Sequence, residues 1–134
     1  MFTLDQNLEK GTQWVGKLSL CQVRVLPDPE CPWVILVPER ADISETHQLS
    51  EADQQLLIHE IALISKHLEK VFSPDKINLG ALGNVVLQYH VHLIGRYTKD
   101  RAWPGPIWGV EPKADPDEDM GAQLASGLSE LCKP

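Results

Sequence analysis

Asn84-Val85-Val86-Leu87-Gln88-Tyr89-His90-Val91-His92-Leu93-Ile94 is the stretch whose pattern governs the reading of the whole chain. Taken with a period of two, Val85, Leu87, Tyr89, Val91 and Leu93 fall on one side, and Val86, Gln88, His90, His92 and Ile94 on the other. The first set is almost wholly apolar and predicts a core-facing strand surface. The second aligns Gln88, His90 and His92 at steps of about 7 Å along the opposite side of a sheet. A polar row between Val86 and Ile94 is costly if it is dry and unpaired. The pattern leaves three uses open. The row is a solvated surface that happens to carry two imidazoles, a metal site shared by His90 and His92, or a nucleophilic pocket.

Chemistry weighs on these alternatives. A structural zinc needs four ligands at recognisable intervals. Cys21 and Cys31 stand on a strand and in a proline-rich turn, and no Asp or Glu lies beside His90, so no metal ligand is assigned. A neutral imidazole, by contrast, is a competent nucleophile near neutrality, since its ordinary pKa is about 6.5. It must present one ring nitrogen while the other holds a proton against a hydrogen-bond acceptor, which a nearby backbone carbonyl can supply. A second imidazole one step along the same face can then touch phosphate oxygens or a leaving group. The preceding Gly80-Ala81-Leu82-Gly83 loop lets backbone approach a ligand closely, with amides able to cradle an anion. Asn78 and Asn84 add amide donors at its mouth.

Around this segment the chain alternates between strand and helix signals. Lys76 to Leu79 predicts a strand. Before it, Ser50 followed by Asp53 reads as a helix start, and Leu57, Ile61, Ile64, Leu68 and Val71 recur at steps of three and four. That stripe predicts an amphipathic helix of about five turns, closed by Ser73-Pro74-Asp75. Further upstream, Leu18 to Leu26 alternates as a strand, Pro27 to Pro32 breaks it, and Trp33 to Val37 forms a second strand ending at Pro38. These two predict an antiparallel pair. A short helix around Leu4 and Leu8 precedes Gly11. Downstream, Trp103-Pro104-Gly105-Pro106-Ile107-Trp108-Gly109 is too rich in Pro and Gly for regular structure. An acidic linker from Glu111 to Asp119 leads to a last short helix through Leu124, Leu128 and Leu131. The expected organisation is one domain over residues 1–110, with 111–134 as linker and short helix on or beside it.

Of the 134 residues 43% are hydrophobic and 23% charged, which suits one soluble α+β domain with its own core. The net charge of −7 leaves no excess of Lys or Arg for displacing counterions from nucleic acid or anionic lipid. Neither is expected as a partner. Cys21, Cys31 and Cys132 are odd in number and lack C-x-x-C spacing, which fits a reducing compartment. Met1 to Lys10 carries Asp5 and Glu9 and no signal-peptide core, so a cytoplasmic location is expected.

The Gly83 to Ile94 segment resembles the signature strand of the histidine triad (HIT) superfamily, His-φ-His-φ-His-φ-φ with φ apolar. The strand ending Ile35-Leu36-Val37-Pro38, the helix after Ser50, the Asn78 to Gly83 turn and Trp103-Pro104 fall in the family's order. The likeness is greatest to a bacterial branch with Gln at the first triad position and a Trp-Pro-Gly-Pro-Ile/Val-Trp-Gly segment.

This resemblance implies a HIT-like antiparallel sheet with one long amphipathic helix and short terminal helices, assembled as a homodimer. It implies nucleotide binding, and transfer or hydrolysis of nucleotidyl groups through a covalent adduct on the middle histidine, here His90. His92, at the last position, is expected near the phosphate and departing group. Asp28 stands where the family places an acid that holds ribose hydroxyls, and Asn78 and Asn84 match positions that approach phosphates. No cofactor is required, though a divalent metal can accompany the substrate phosphates. Gln88 departs from the usual His. Its main-chain carbonyl remains available to anchor His90, but its side chain cannot carry a proton. That departure also leaves room for a non-catalytic nucleotide-binding regulatory or interaction protein. His59 and His67 are expected as partly exposed helix residues, His47 as a loop residue, and Trp33 and Trp108 as core or interface.

Overall fold

Helix α1 (Gln6–Gly11), strands β1 (Gln13–Lys17), β2 (Cys21–Val25) and β3 (Trp33–Pro38), helix α2 (Glu51–Phe72), strands β4 (Lys76–Gly80) and β5 (Val91–Arg96), and helix α3 (Glu118–Leu131) follow one another along the chain. This is a computed structural model, and it describes residues 1–132. The strands form one sheet in the order β1-β2-β3-β5-β4, every neighbouring pair antiparallel. The expected β2–β3 pair is present, with Val23 opposite Leu36. The architecture is α+β, an antiparallel sheet with one long helix and shorter helices near the termini, as expected.

The three inner strands β2, β3 and β5 are buried along their whole length because both faces of the sheet are covered. One face carries Val23, Val25, Val34, Leu36, Val91 and Leu93 beneath α2 and α3. The other carries Trp33, Ile35, Val37 and Ile94, covered by Leu8 of α1 and by Ile107. Polar residues on the second face therefore need partners. Arg24 finds them in Thr12 Oγ1 at 2.6 Å and Gln22 Oε1 at 2.9 Å.

Helix α2 begins as expected, with the Ser50 hydroxyl accepting from the Asp53 amide. Leu57, Ile64 and Leu68 bury the predicted stripe, and Ile61 and Val71 flank it half-buried. Glu60 is also buried there. Its carboxylate oxygens accept from the amides of Leu20 at 2.8 Å and Cys21 at 2.9 Å, tying the helix to the start of β2. A glutamate reads as solvent-facing in a sequence pattern, and only the two orphan amides opposite explain its place.

The structure corrects the extent of the decisive strand. It begins at Val91, and Val85 and Leu87, expected in the core, are 89% and 72% exposed. The reason is that ladder partners run out. β3 pairs no further than Leu36 opposite Val91, and β4 ends at Gly80 opposite His92. Upstream of that point the backbone bonds elsewhere, with the Tyr89 amide donating to Ile43 in the loop after β3. β2 is likewise shorter than Leu18 to Leu26, because Leu18 donates to Cys21 in the turn from β1. β1 itself carried no alternating signal. It is an exposed edge strand with a bulge between Trp14 and Gly16.

Helix α3 lays Leu124 and Leu128 into the same core as Leu57 and Ile64. Helix α3 packs against β1 and β2, while residues 111–119 are exposed, and residues 133–134 lie outside the described residues. No helix among the described residues is long and apolar enough to cross a membrane.

Candidate active site

The β5 register places His92 opposite Ile35 on one side and Gly80 on the other, and His90 just before the strand begins. Both histidines are buried apart from a small exposed fraction. Their hydrogen bonds determine where the protons sit. His90 Nδ1 lies 2.7 Å from the Gln88 carbonyl oxygen. A carbonyl can only accept, so Nδ1 carries the proton and Nε2 keeps its lone pair. His92 Nδ1 lies 2.9 Å from Trp33 Nε1. An indole N–H can only donate, so here Nδ1 is unprotonated and Nε2 carries the hydrogen. The two rings, with centroids 5.1 Å apart at an angle of 61°, therefore hold opposite tautomers. Side by side stand one nucleophilic nitrogen and one neutral donor.

Burial, and secondarily repulsion from a charged His90, pushes the His92 pKa down to about 4. The consequence for stability has a definite sign. Above about pH 6.5 His92 is neutral both in the folded chain and in the unfolded one. As pH falls from there, the unfolded chain takes up a proton that the folded chain refuses, and folding weakens until about pH 4. We predict a loss on the order of 3 kcal/mol across that window. Chemical denaturation at stepped pH checks it, and a His92→Phe variant with the same acid slope would refute the assignment.

A cavity of about 140 Å³ adjoins His90, lined also by Ser44, Glu45, Thr46, Tyr89 and the Ala81 to Gly83 turn. It has room for a phosphoryl group rather than a whole nucleotide. Gly83 adopts φ +70°, the left-handed conformation that the turn needs. The Tyr89 hydroxyl pairs with Thr46 Oγ1 at 2.7 Å and holds the opposing loop. Larger depressions exist, one of about 520 Å³ beside Glu30, Asp75 and Asp100, another of about 630 Å³ beside Asp115, Asp117 and Glu118. Neither contains a histidine, so the smaller cavity beside His90 is the candidate site.

The sequence-derived residues divide into two groups. His90, His92 and Gln88 come together: Gln88 anchors His90 through its carbonyl, as the resemblance implied. The Gln88 side chain has a separate role, accepting from the Asp5 amide and donating to the Thr3 carbonyl, each at 2.8 Å. It clasps the N-terminal segment. Asp28, Asn78 and Asn84 do not line the cavity beside His90. Asp28 is buried in a two-pronged pair with Arg101, at 2.7 and 3.1 Å, and accepts from the amides of Glu30 and Cys31. Asn78 Oδ1 accepts from Arg96 at 2.8 Å. Asn84 is exposed beyond Gly83. Gly80 serves packing: a Cβ there would lie 2.7 Å from the Trp108 ring.

Sequence reasoning missed two participants, Trp33 and Trp108. Trp33 donates to His92, while Trp108 stands edge-on to His92 at 5.5 Å and to Trp33 at 6.4 Å. The Trp33 signal lay in cross-strand register, which no single strand reveals. Trp103 lies over the Arg96 guanidinium, 5.8 Å away.

Comparison with known proteins identifies the family. The HIT domain family model matches residues 7–99. A histidine triad protein from Sinorhizobium meliloti 1021 is 44% identical, covering 97% of this chain and 96% of that one at a TM-score of 0.89. Another from Bradyrhizobium japonicum is 40% identical over 96% of each chain at 0.91. A third, from Marinobacter aquaeolei VT8, is 40% identical over 98% and 96% at 0.89. Among curated proteins no significant match is found. With a family model over most of its length and relatives that superimpose end to end, the chain belongs to the histidine triad (HIT) family.

Proposed function

We propose that this protein is a nucleotide-binding hydrolase or nucleotidyl transferase acting on nucleotide conjugates, of the dinucleoside polyphosphate or nucleoside phosphoramidate type. The observation that carries the reading is the pair of opposite tautomers at His90 and His92. His90 Nε2 attacks the α-phosphorus, a P–N bond forms, and the bond to the leaving group breaks with its electron pair leaving on that group. Water then attacks the same phosphorus, the P–N bond returns its pair to Nε2, and a proton passes to solvent. His92 Nε2–H donates to phosphoryl oxygen as charge builds, a positioned neutral donor rather than an acid that ionises.

No resident metal is required in this scheme; a divalent ion enters with the substrate phosphates. Asp28, Asn78 and Asn84 remain the proposed nucleotide contacts that the resemblance implies. The test is rapid acid-free trapping of nucleotidylated His90 during turnover of a conjugate panel, with and without chelator. An adduct that forms and decays at the turnover rate supports the reading. A protein that binds nucleotide without ever forming one is the regulatory or interaction protein, an alternative favoured by the commitment of the Gln88 side chain to Thr3 and Asp5. His92→Ala is expected to lower kcat on the order of 10²-fold, measured by steady-state hydrolysis. An unchanged rate removes His92 from the mechanism.

We further propose a homodimer. β4 is an unpaired sheet edge, and Leu79, Leu82, Val85 and Leu87 stand exposed on it and on the turn that follows. Sedimentation equilibrium should give twice the 15.0 kDa chain mass, and a purely monomeric mass at micromolar concentration would exclude this assembly. A cytoplasmic location fits three free cysteines, of which burial pushes Cys31 up to about 12.

A further inference from the structure

Trp33 stands outside the triad pattern, yet it makes the one side-chain hydrogen bond found for the His92 ring among the described residues. Trp33 is paired with Ile94 across the β3–β5 ladder, which makes His92 its diagonal neighbour, within reach of a large aromatic side chain. Both residues are buried, so neither polar nitrogen has ready access to water. A buried donor or acceptor left unpaired is costly, and this single bond satisfies the indole N–H and His92 Nδ1 together. Trp108 stands edge-on to both rings, and Gly80 supplies the space that lets it do so.

We propose that Trp33 is a positioning residue: its indole N–H, delivered from the neighbouring strand, locks His92 in the Nε2–H tautomer. The active site then always presents a donor beside the His90 lone pair. A neutral imidazole free of such a bond exchanges its proton between two nitrogens, and in one of those states Nε2 would offer a second lone pair to the phosphoryl oxygens, which repel it. The indole removes that state. The catalytic consequence rests on the hydrolase reading above, whereas the bond itself belongs to the resting protein.

Two replacements separate this role from core filling. Trp33→Phe removes the N–H and some volume. Site-specific 3-benzothienylalanine at position 33 keeps the ring outline and puts sulfur where the N–H was. Nitrogen-15 spectra of histidine-labelled protein should show His92 in the wild type with an unprotonated Nδ1 and a protonated Nε2. In both variants the two shifts should move toward each other, and kcat on a nucleotide conjugate should fall on the order of tenfold with KM unchanged, the effect of one net hydrogen bond. Wild-type His92 shifts in the benzothienyl protein would overturn the proposal. Failure of the hydrolase reading looks different: no trapped His90 adduct in the wild type, with the spectra still deciding the role of Trp33.

Discussion

His90→Ala is expected to abolish turnover, by at least about 10⁴-fold, while the protein stays folded and keeps most of its nucleotide affinity. The size follows from the removal of the proposed nucleophile itself. Alanine has no lone pair to form the P–N bond, and His92 cannot replace it, because its Nδ1 is committed to Trp33 and its Nε2 carries a proton. Structural cost is small in comparison. His90 lies at the mouth of a cavity and outside the β5 ladder, so water can take its place on the Gln88 carbonyl. The loss is about 1 kcal/mol, one hydrogen bond. Steady-state hydrolysis and equilibrium nucleotide binding, measured on the same preparation, check both halves. A variant that turns over at the wild-type rate would remove His90 from the chemistry altogether.

The largest effect on stability is expected from Asp100→Ala, about 3–5 kcal/mol of destabilisation. Arg96 is 1% exposed, and its guanidinium meets the Asp100 carboxylate twice, Nε at 2.7 Å and Nη2 at 3.0 Å. Asp100 also accepts from the amides of Tyr97, Ala102 and Trp103. Burial alone would raise its pKa, but the Arg96 hydrogen bonds and those amides outweigh it and hold the carboxylate well below its usual range. Alanine leaves a buried cation with only Asn78 and the Gly105 carbonyl, and three loop amides unsatisfied. That loop leads to Trp108 beside His92, so the His92 resonances should shift as well. Urea unfolding measures the stability change. A difference under about 1 kcal/mol would show that the pair contributes far less than its burial implies.

Much of this was legible in the chain before any coordinates. The α2 stripe and its Ser50 cap, the β2–β3 pair around Pro27 to Pro32, and the place of His90 and His92 on one side of the segment that enters β5 all follow from local pattern. The resemblance supplied the family and the carbonyl anchor at Gln88. Period-two alternation misled from Asn84 to Gln88, where the pattern continues but the ladder does not. A strand persists only while a neighbour accepts its hydrogen bonds, and β3 and β4 end too soon. Glu60 and β1 escaped notice for a related reason: one is a charge stabilised by amides far along the chain, the other an edge held by a partner rather than by its own periodicity.

The sequence by itself determined which groups are proposed to carry the chemistry, because side-chain type and strand periodicity are local properties. Tertiary structure decided in which state those groups are held: the proton on His90 Nδ1, the bare Nδ1 of His92 under the Trp33 indole, the Gln88 amide on the N-terminal segment, and Asp28 on Arg101. Each of these, apart from the His90 anchor two residues away, joins positions far apart in sequence. A hydrogen bond across the fold depends on register and burial, and those exist only once the strands have paired.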